Sequence, residues 1–113
     1  MGHSQISRQM PRSLAVGVDV GGTAIKTLLV DDRRQALQTH SAPTDTSTRA
    51  ATFTSIVVAL EQTLAAAGVD ATQLCAIGLG VPGQNDPRTG IVRLAVNLHW
   101  QDFPLTERLT ARF

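Results

Sequence analysis

Two apolar runs joined by a glycine turn constrain this chain more than any other feature. Leu14-Ala15-Val16-Gly17-Val18 is short, apolar and rich in β-branched residues, which suits a buried strand. Asp19-Val20-Gly21-Gly22-Thr23 interrupts it, and residues 25–30 form a second apolar run. Two such runs about a Gly-Gly turn predict a β-hairpin. A strand therefore follows the glycines where a dinucleotide-binding fingerprint needs a helix, and Gly17, Gly21 and Gly22 do not make Gly-x-Gly-x-x-Gly. No Gly-Lys-Ser/Thr follows either, which excludes a P-loop.

The rest of the chain extends this hairpin into an α/β pattern. Asp31-Asp32-Arg33-Arg34 reads as a charged turn and residues 36–41 as a third, more exposed strand. A Thr/Ser/Pro/Asp loop follows, then a helix over residues 48–67, with Phe53, Ile56, Val57, Leu60, Leu64 and Ala67 on one face. Thr46 or Ser47 is placed to cap its start and Gly68 to end it. Residues 74–79 predict another buried strand, and Gly80-Val81-Pro82-Gly83 a loop. Asp86-Pro87-Arg88-Thr89-Gly90 is a turn leading into a short strand over residues 91–96. Residues 97–104 read as irregular and residues 105–112 as the opening of a second helix. The sum is one α/β domain with a mixed sheet over residues 14–113, preceded by a polar tail, residues 1–13. A final helix with no strand after it suggests a fragment.

Composition narrows the function classes. With 113 residues, 42% hydrophobic, 17% charged and a net charge of +1, the chain suits one globular domain. It has no field calling for nucleic acid or a membrane surface. No apolar run reads as a membrane span, and the tail lacks the apolar core of a secretion signal. The single cysteine, Cys75, lies in Leu74-Cys75-Ala76-Ile77 and is expected to be a buried thiol, consistent with the cytoplasm.

Three segments carry potential chemistry. In the first, two glycines remove side chains that would block a phosphate and allow positive φ, while successive N–H groups form an anion nest. Thr23 adds a hydroxyl, Asp19 can hold Mg²⁺ through water, and Lys26 either offers charge to phosphates or closes the sheet edge. An ordinary glycine hairpin with an exposed Asp is the plainer alternative. In the second, Ile77-Gly78-Leu79-Gly80-Val81-Pro82-Gly83, glycines inside a strand imply either close ligand approach or tight sheet-to-helix packing. In the third, Asn97-Leu98-His99-Trp100, Asn97 either presents a donor and an acceptor to a sugar hydroxyl pair or bonds its own backbone in a turn. Trp100 reads as core or rim rather than as a sugar platform. His3, His40 and His99 lack ligand spacing.

Taken together these segments resemble the ROK family (repressors, open reading frames and kinases), especially its glucokinase-like members. Residues 17–26 look like the family's opening ATP-phosphate motif. Residues 77–83, Asp86-Pro87-x-Thr89-Gly90-Ile91-Val92, and Asn97-Leu98 with Trp100 are similar to its sugar-side stretch. The resemblance implies a ribonuclease H-like, actin/hexokinase-type fold: a mixed sheet with flanking helices, here the N-terminal lobe. It implies that Asp19, Gly21, Gly22, Thr23 and Lys26 face the phosphates of ATP, with Mg²⁺ held by Asp19 through water. It places Gly83 and Asn97 at the sugar. The family's general base and zinc loop correspond to nothing in this sequence, so the base is expected beyond Phe113, the only part that has room for a zinc site. The implied activity is phosphorylation of a hexose such as glucose, by ATP or polyphosphate, in a full-length homodimer. A sugar-responsive regulator and a non-sugar actin-like ATPase are the rival readings. Val96 stands where many members have Pro, and Ala24 where many have Lys.

Overall fold

The computed structural model describes residues 13–113, so the tail expected over residues 1–13, with His3, lies outside the described residues apart from Ser13. The large sheet is built from β1 (Leu14–Val20), β2 (Ala24–Val30), β3 (Ala36–Pro43) and β4 (Leu74–Gly80). Its order is β3-β2-β1-β4, antiparallel except for the parallel β1–β4 pair. A small antiparallel sheet holds β5 (Gln84–Asp86), β6 (Ile91–Ala95) and β7 (Trp100–Phe103). Two helices complete the fold, α1 (Arg49–Ala67) and α2 (Leu105–Arg112).

Alternation along β1 and β2 divides the large sheet into two unlike faces. Leu14, Val16, Val18 and Val20 are buried, and their cross-strand partners include Leu29, Thr27 and Ile25. These side chains form one core with Ile56, Ala59, Leu60 and Leu64 of α1. Burying each large aliphatic side chain stabilises the fold by about 1.5–3 kcal/mol. Thr27 and Thr63 join hydroxyls inside this core, and Thr63 also donates to the Ala59 carbonyl, so neither buried hydroxyl lacks a partner. The intervening residues, Gly17, Asp19, Lys26 and Leu28, are exposed on the opposite face.

The cap of helix α1 is Thr48, one residue after Ser47 and two after Thr46, the expected caps. The Thr48 hydroxyl accepts from the Ala51 amide at 3.0 Å, with Thr48 itself in extended conformation. Ser47 belongs to the loop before the helix, where its amide donates to Asp45 Oδ1 at 2.9 Å. Gly68 ends the helix as expected, with φ +67 and its N–H returned to Ala65. Contrary to the sequence reading, α1 is long and apolar enough to cross a membrane by composition, with 19 residues and a mean hydropathy of 1.3. Its buried side chains, Ile56, Val57, Leu60 and Leu64, pack into the sheet core, as in a core helix.

Two further expectations need correction. β4 forms as predicted but is not buried: it is an edge strand, paired with β1 on one side only. Cys75 is exposed rather than enclosed, because the β1–β4 register passes from Leu14–Leu74 to Ala15–Ala76 and leaves Cys75 as the unpaired bulge residue. The segment read as irregular contains β7. Its Trp100 and Phe103 are buried and stack at 4.2 Å, which pins a four-residue strand too short to show alternation.

Candidate functional site

The hairpin turn is closed by the Gly21 amide, which donates to the Ala24 carbonyl at 2.9 Å. Neither Gly21 nor Gly22 has positive φ, so the left-handed turn anticipated from the glycine pair is not what selects them. Gly21 is required by close approach: a Cβ there would stand 2.8 Å from the Ala24 carbonyl oxygen. Gly22 is different. A Cβ on it would meet only the Cβ of Asn97, at 3.8 Å. The turn expected at phosphates and the asparagine expected at the sugar are therefore neighbours, although 75 residues separate them (97 − 22).

A residue that sequence reasoning missed holds this turn in place. Thr44, just after β3, donates its hydroxyl to the Gly21 carbonyl at 2.8 Å, and its amide donates to the Thr23 carbonyl at 3.0 Å. With both carbonyls occupied, the amides of Gly22 and Thr23 and the Thr23 hydroxyl make no hydrogen bond within the described residues. Three donors concentrated in two adjacent residues are what an anion nest offers.

Asp19 and Lys26 are direct cross-strand partners, and on its other side Asp19 pairs with Gly80. All three line an open depression with Gly17, Val18 and Gly78. Lys26 lies on an interior strand, so it does not close the sheet edge; its charge is exposed on the open face, and no salt bridge among the described residues takes it up. Gly17 and Gly78 would meet nothing within 4 Å if given a Cβ, so helix packing does not explain these strand glycines. The Asp19 carboxylate lies 3.9 Å from where a Gly80 Cβ would be, and a larger residue at 80 would crowd it. Among the described residues no three His, Cys, Asp or Glu side chains gather as a metal site. A lone exposed carboxylate fits Mg²⁺ held through water better than a protein cage.

Gly83 and Asn97 line one pocket of about 290 Å³ with Pro82, Gln84, Leu94, Ala95 and Val96. Gly83 has φ +99, and a Cβ on it would collide with the Leu94 carbonyl oxygen. It is thus the residue that lets the loop after β4 lie against β6. Asn97 sits exposed on the 3-10 turn Val96–Leu98, with no side-chain cap there and its amide group unengaged. It is not a turn asparagine bonding its own backbone. Trp100 is core: only 1% exposed, it donates its indole N–H to the Arg49 carbonyl at 3.1 Å. His40 bonds Gln62, and His99 follows the 3-10 turn in a left-handed conformation.

The Asp86 turn braces the small sheet behind this pocket. Desolvation pushes the Asp86 carboxyl up, but bonds from the Thr89 side chain and the Arg88 and Thr89 amides, with the Arg93 charge, outweigh it and lower its pKa. Arg93 also bonds Asp102 at 3.0 Å across β6 and β7. Gly90 closes the turn with φ +70 and would collide with Thr106 if it carried a Cβ.

A family model described as "ROK family" matches residues 15–113. A glucokinase from Halalkalibacterium halodurans is 38% identical over 95 residues, covering 83% of this chain and 29% of that protein. Among solved structures, a ROK family glucokinase from Streptomyces griseus, in complex with glucose and AMPPNP, superposes with a TM-score of 0.74 at 29% identity, over 88% of this chain and 30% of that one. A ROK hexokinase from Thermus thermophilus superposes with a TM-score of 0.73 at 33% identity, over 87% and 31%. The chain spans less than a third of the length of these relatives.

Proposed function

This chain belongs to the ROK family, with the ribonuclease H-like, actin/hexokinase-type fold of its sugar kinases, and from that premise we propose that residues 14–113 form the N-terminal lobe of an ATP-dependent hexose kinase with glucose as its substrate. The observation that carries this reading is the proximity of Gly22 to Asn97, whose Cβ lies 3.8 Å from where a Cβ on Gly22 would stand. A kinase must bring a phosphoryl group and a hydroxyl within bonding distance, so its two binding elements must adjoin.

In this reading the free amides of Gly22 and Thr23 and the Thr23 hydroxyl bind phosphate oxygens, and Lys26 adds positive charge from the neighbouring strand. Asn97 binds a pair of sugar hydroxyls, while Gly83 shapes the pocket wall. Asp19 would hold Mg²⁺ through water, and the ion would supply charge neutralisation at the phosphates. The base that takes the hydroxyl proton comes from beyond Phe113. The whole protein works in the cytoplasm as a homodimer.

ADP release with Mg-ATP and a panel of hexoses tests this, comparing the 113-residue chain with a version extended to the natural stop codon. Turnover of glucose by the longer protein alone is the expected result. Sugar binding without turnover by the longer protein would instead favour a sugar-responsive regulator. Sugar-dependent turnover by the short chain would refute the missing-base argument.

A further inference from the structure

We propose that Thr44 is a positioning residue for phosphate binding, acting through the backbone of the glycine turn rather than by touching the nucleotide; this rests on the kinase reading above. The turn has no side chains of its own at residues 21 and 22 to hold its shape, and its closing bond, Gly21 to Ala24, fixes only its base. Thr44 supplies the rest. Its hydroxyl and amide take the carbonyls of Gly21 and Thr23, the two residues flanking Gly22. A peptide unit whose carbonyl is held has its amide direction held too, because the unit is planar. Pinning the Gly21 carbonyl therefore sets the Gly22 N–H, one of the two free amides.

Thr44 is itself anchored to the core. The carbonyl of the next residue, Asp45, accepts from the Thr52 hydroxyl at 3.0 Å, and its amide donates to Ser55 Oγ at 2.9 Å. Thr52 is fully buried on α1. A continuous set of bonds thus runs from the helix through residues 45 and 44 to the turn. The same clamp sets Gly22 against Asn97, so it also determines how far the phosphate nest stands from the sugar pocket.

The test is an amide-resolved NMR titration of this chain with magnesium tripolyphosphate, which carries the phosphate chemistry without a nucleoside. Thr44→Val keeps the shape and the amide bond but removes the hydroxyl; Thr44→Ser restores it. Thr27→Val serves as a control, since it disturbs the buried Thr27–Thr63 pair without touching the turn. We expect tripolyphosphate to shift the Gly22 and Thr23 amides of the unaltered chain. Thr44→Val weakens that binding about five- to tenfold, the scale of one hydrogen bond, and Thr44→Ser restores it to within about twofold. Thr27→Val lowers thermal stability but leaves binding unchanged. Equal affinity in Thr44→Val and the unaltered chain would overturn this inference and leave the kinase reading standing. Weakening of the same size in Thr27→Val would overturn it as well, since the effect would then be general destabilisation. An unaltered chain whose Gly22 and Thr23 amides do not respond to tripolyphosphate would overturn both.

Discussion

Glycines in this fold divide into those that a Cβ would wreck and those it would not touch, and the division can be measured. Gly83→Ala is the sharpest case. At φ +99 an L residue is strained, at a cost of about 1–3 kcal/mol. The new Cβ would also strike the Leu94 carbonyl oxygen, which is backbone of β6 and cannot swing aside as a side chain tip can. Relief requires moving the loop after β4 off β6, so the total comes to about 3 kcal/mol or more. With a urea slope of about 1–3 kcal/mol/M, that lowers the unfolding midpoint by about 1–3 M. Gly17→Ala is the counterpart: nothing lies within 4 Å of its Cβ and its φ is ordinary. Alanine there restricts the unfolded chain and stabilises by about 0.4–1 kcal/mol. Urea unfolding of both variants, followed by circular dichroism, gives the answer. A Gly83→Ala midpoint within 0.3 M of the parent (about 0.5 kcal/mol) would refute the reasoning. So would a Gly17→Ala loss above about 1 kcal/mol, since it would mean the open face is covered.

Other predictions concern single side chains. Thr48→Ala removes the N-cap of α1 and costs about 1 kcal/mol in the same unfolding assay. Trp100→Ala costs about 3–5 kcal/mol, because it empties the stack on Phe103, while Trp100→Phe retains most of the stability. The Asp45 carboxyl is held below its ordinary value of 3.8 by hydrogen bonds from Ser47. Its stabilising contribution is therefore present above about pH 3.8 and is lost as pH falls through the lower folded value. Thermal melts from pH 5 down to pH 2 should show Asp45→Asn with a shallower acid decline than the parent. Cys75, exposed on the β4 bulge, should react with a thiol reagent in the folded chain at a rate near that of the unfolded one. Protection by more than about tenfold would contradict its exposure.

Local patterns in the sequence carry much of this fold. The hairpin of β1 and β2 shows in two β-branched runs about Gly21-Gly22, and α1 shows in the spacing of Ile56, Val57, Leu60 and Leu64. What escaped depends on neighbours distant in the chain. Leu74-Cys75-Ala76-Ile77 looks buried by composition, but burial needs a covering element on each side, and β4 has a strand on one side only. β7 has buried residues at its two ends, a left-handed conformation at Asp102 and another at His99 just before it, so no alternation betrays it. The candidate site divides in the same way. Asp19, Gly22 and Asn97 stand out because their residue types are unusual at the ends of apolar runs. Thr44 sits in a Thr/Ser/Pro/Asp loop and looks like any turn residue. Its part in the site exists only because the β2–β3 register returns the chain to Gly21 and Thr23. The adjacency of Gly22 and Asn97 is likewise a product of folding that no spacing encodes.

In the proposed kinase the glycine turn and Asn97 are two halves of one phosphoryl-transfer site. Steady-state kinetics of Asp19→Asn and Asn97→Ala, made in the protein extended past Phe113, test it most directly. The account predicts that Asp19→Asn lowers kcat about 100-fold or more with little change in the KM for glucose, the pattern for a group stabilising charge on the transferring phosphoryl. It predicts that Asn97→Ala raises the glucose KM about tenfold or more and leaves the KM for ATP nearly unchanged. Parental kinetics in both variants would contradict the claim and move the chemistry away from this lobe.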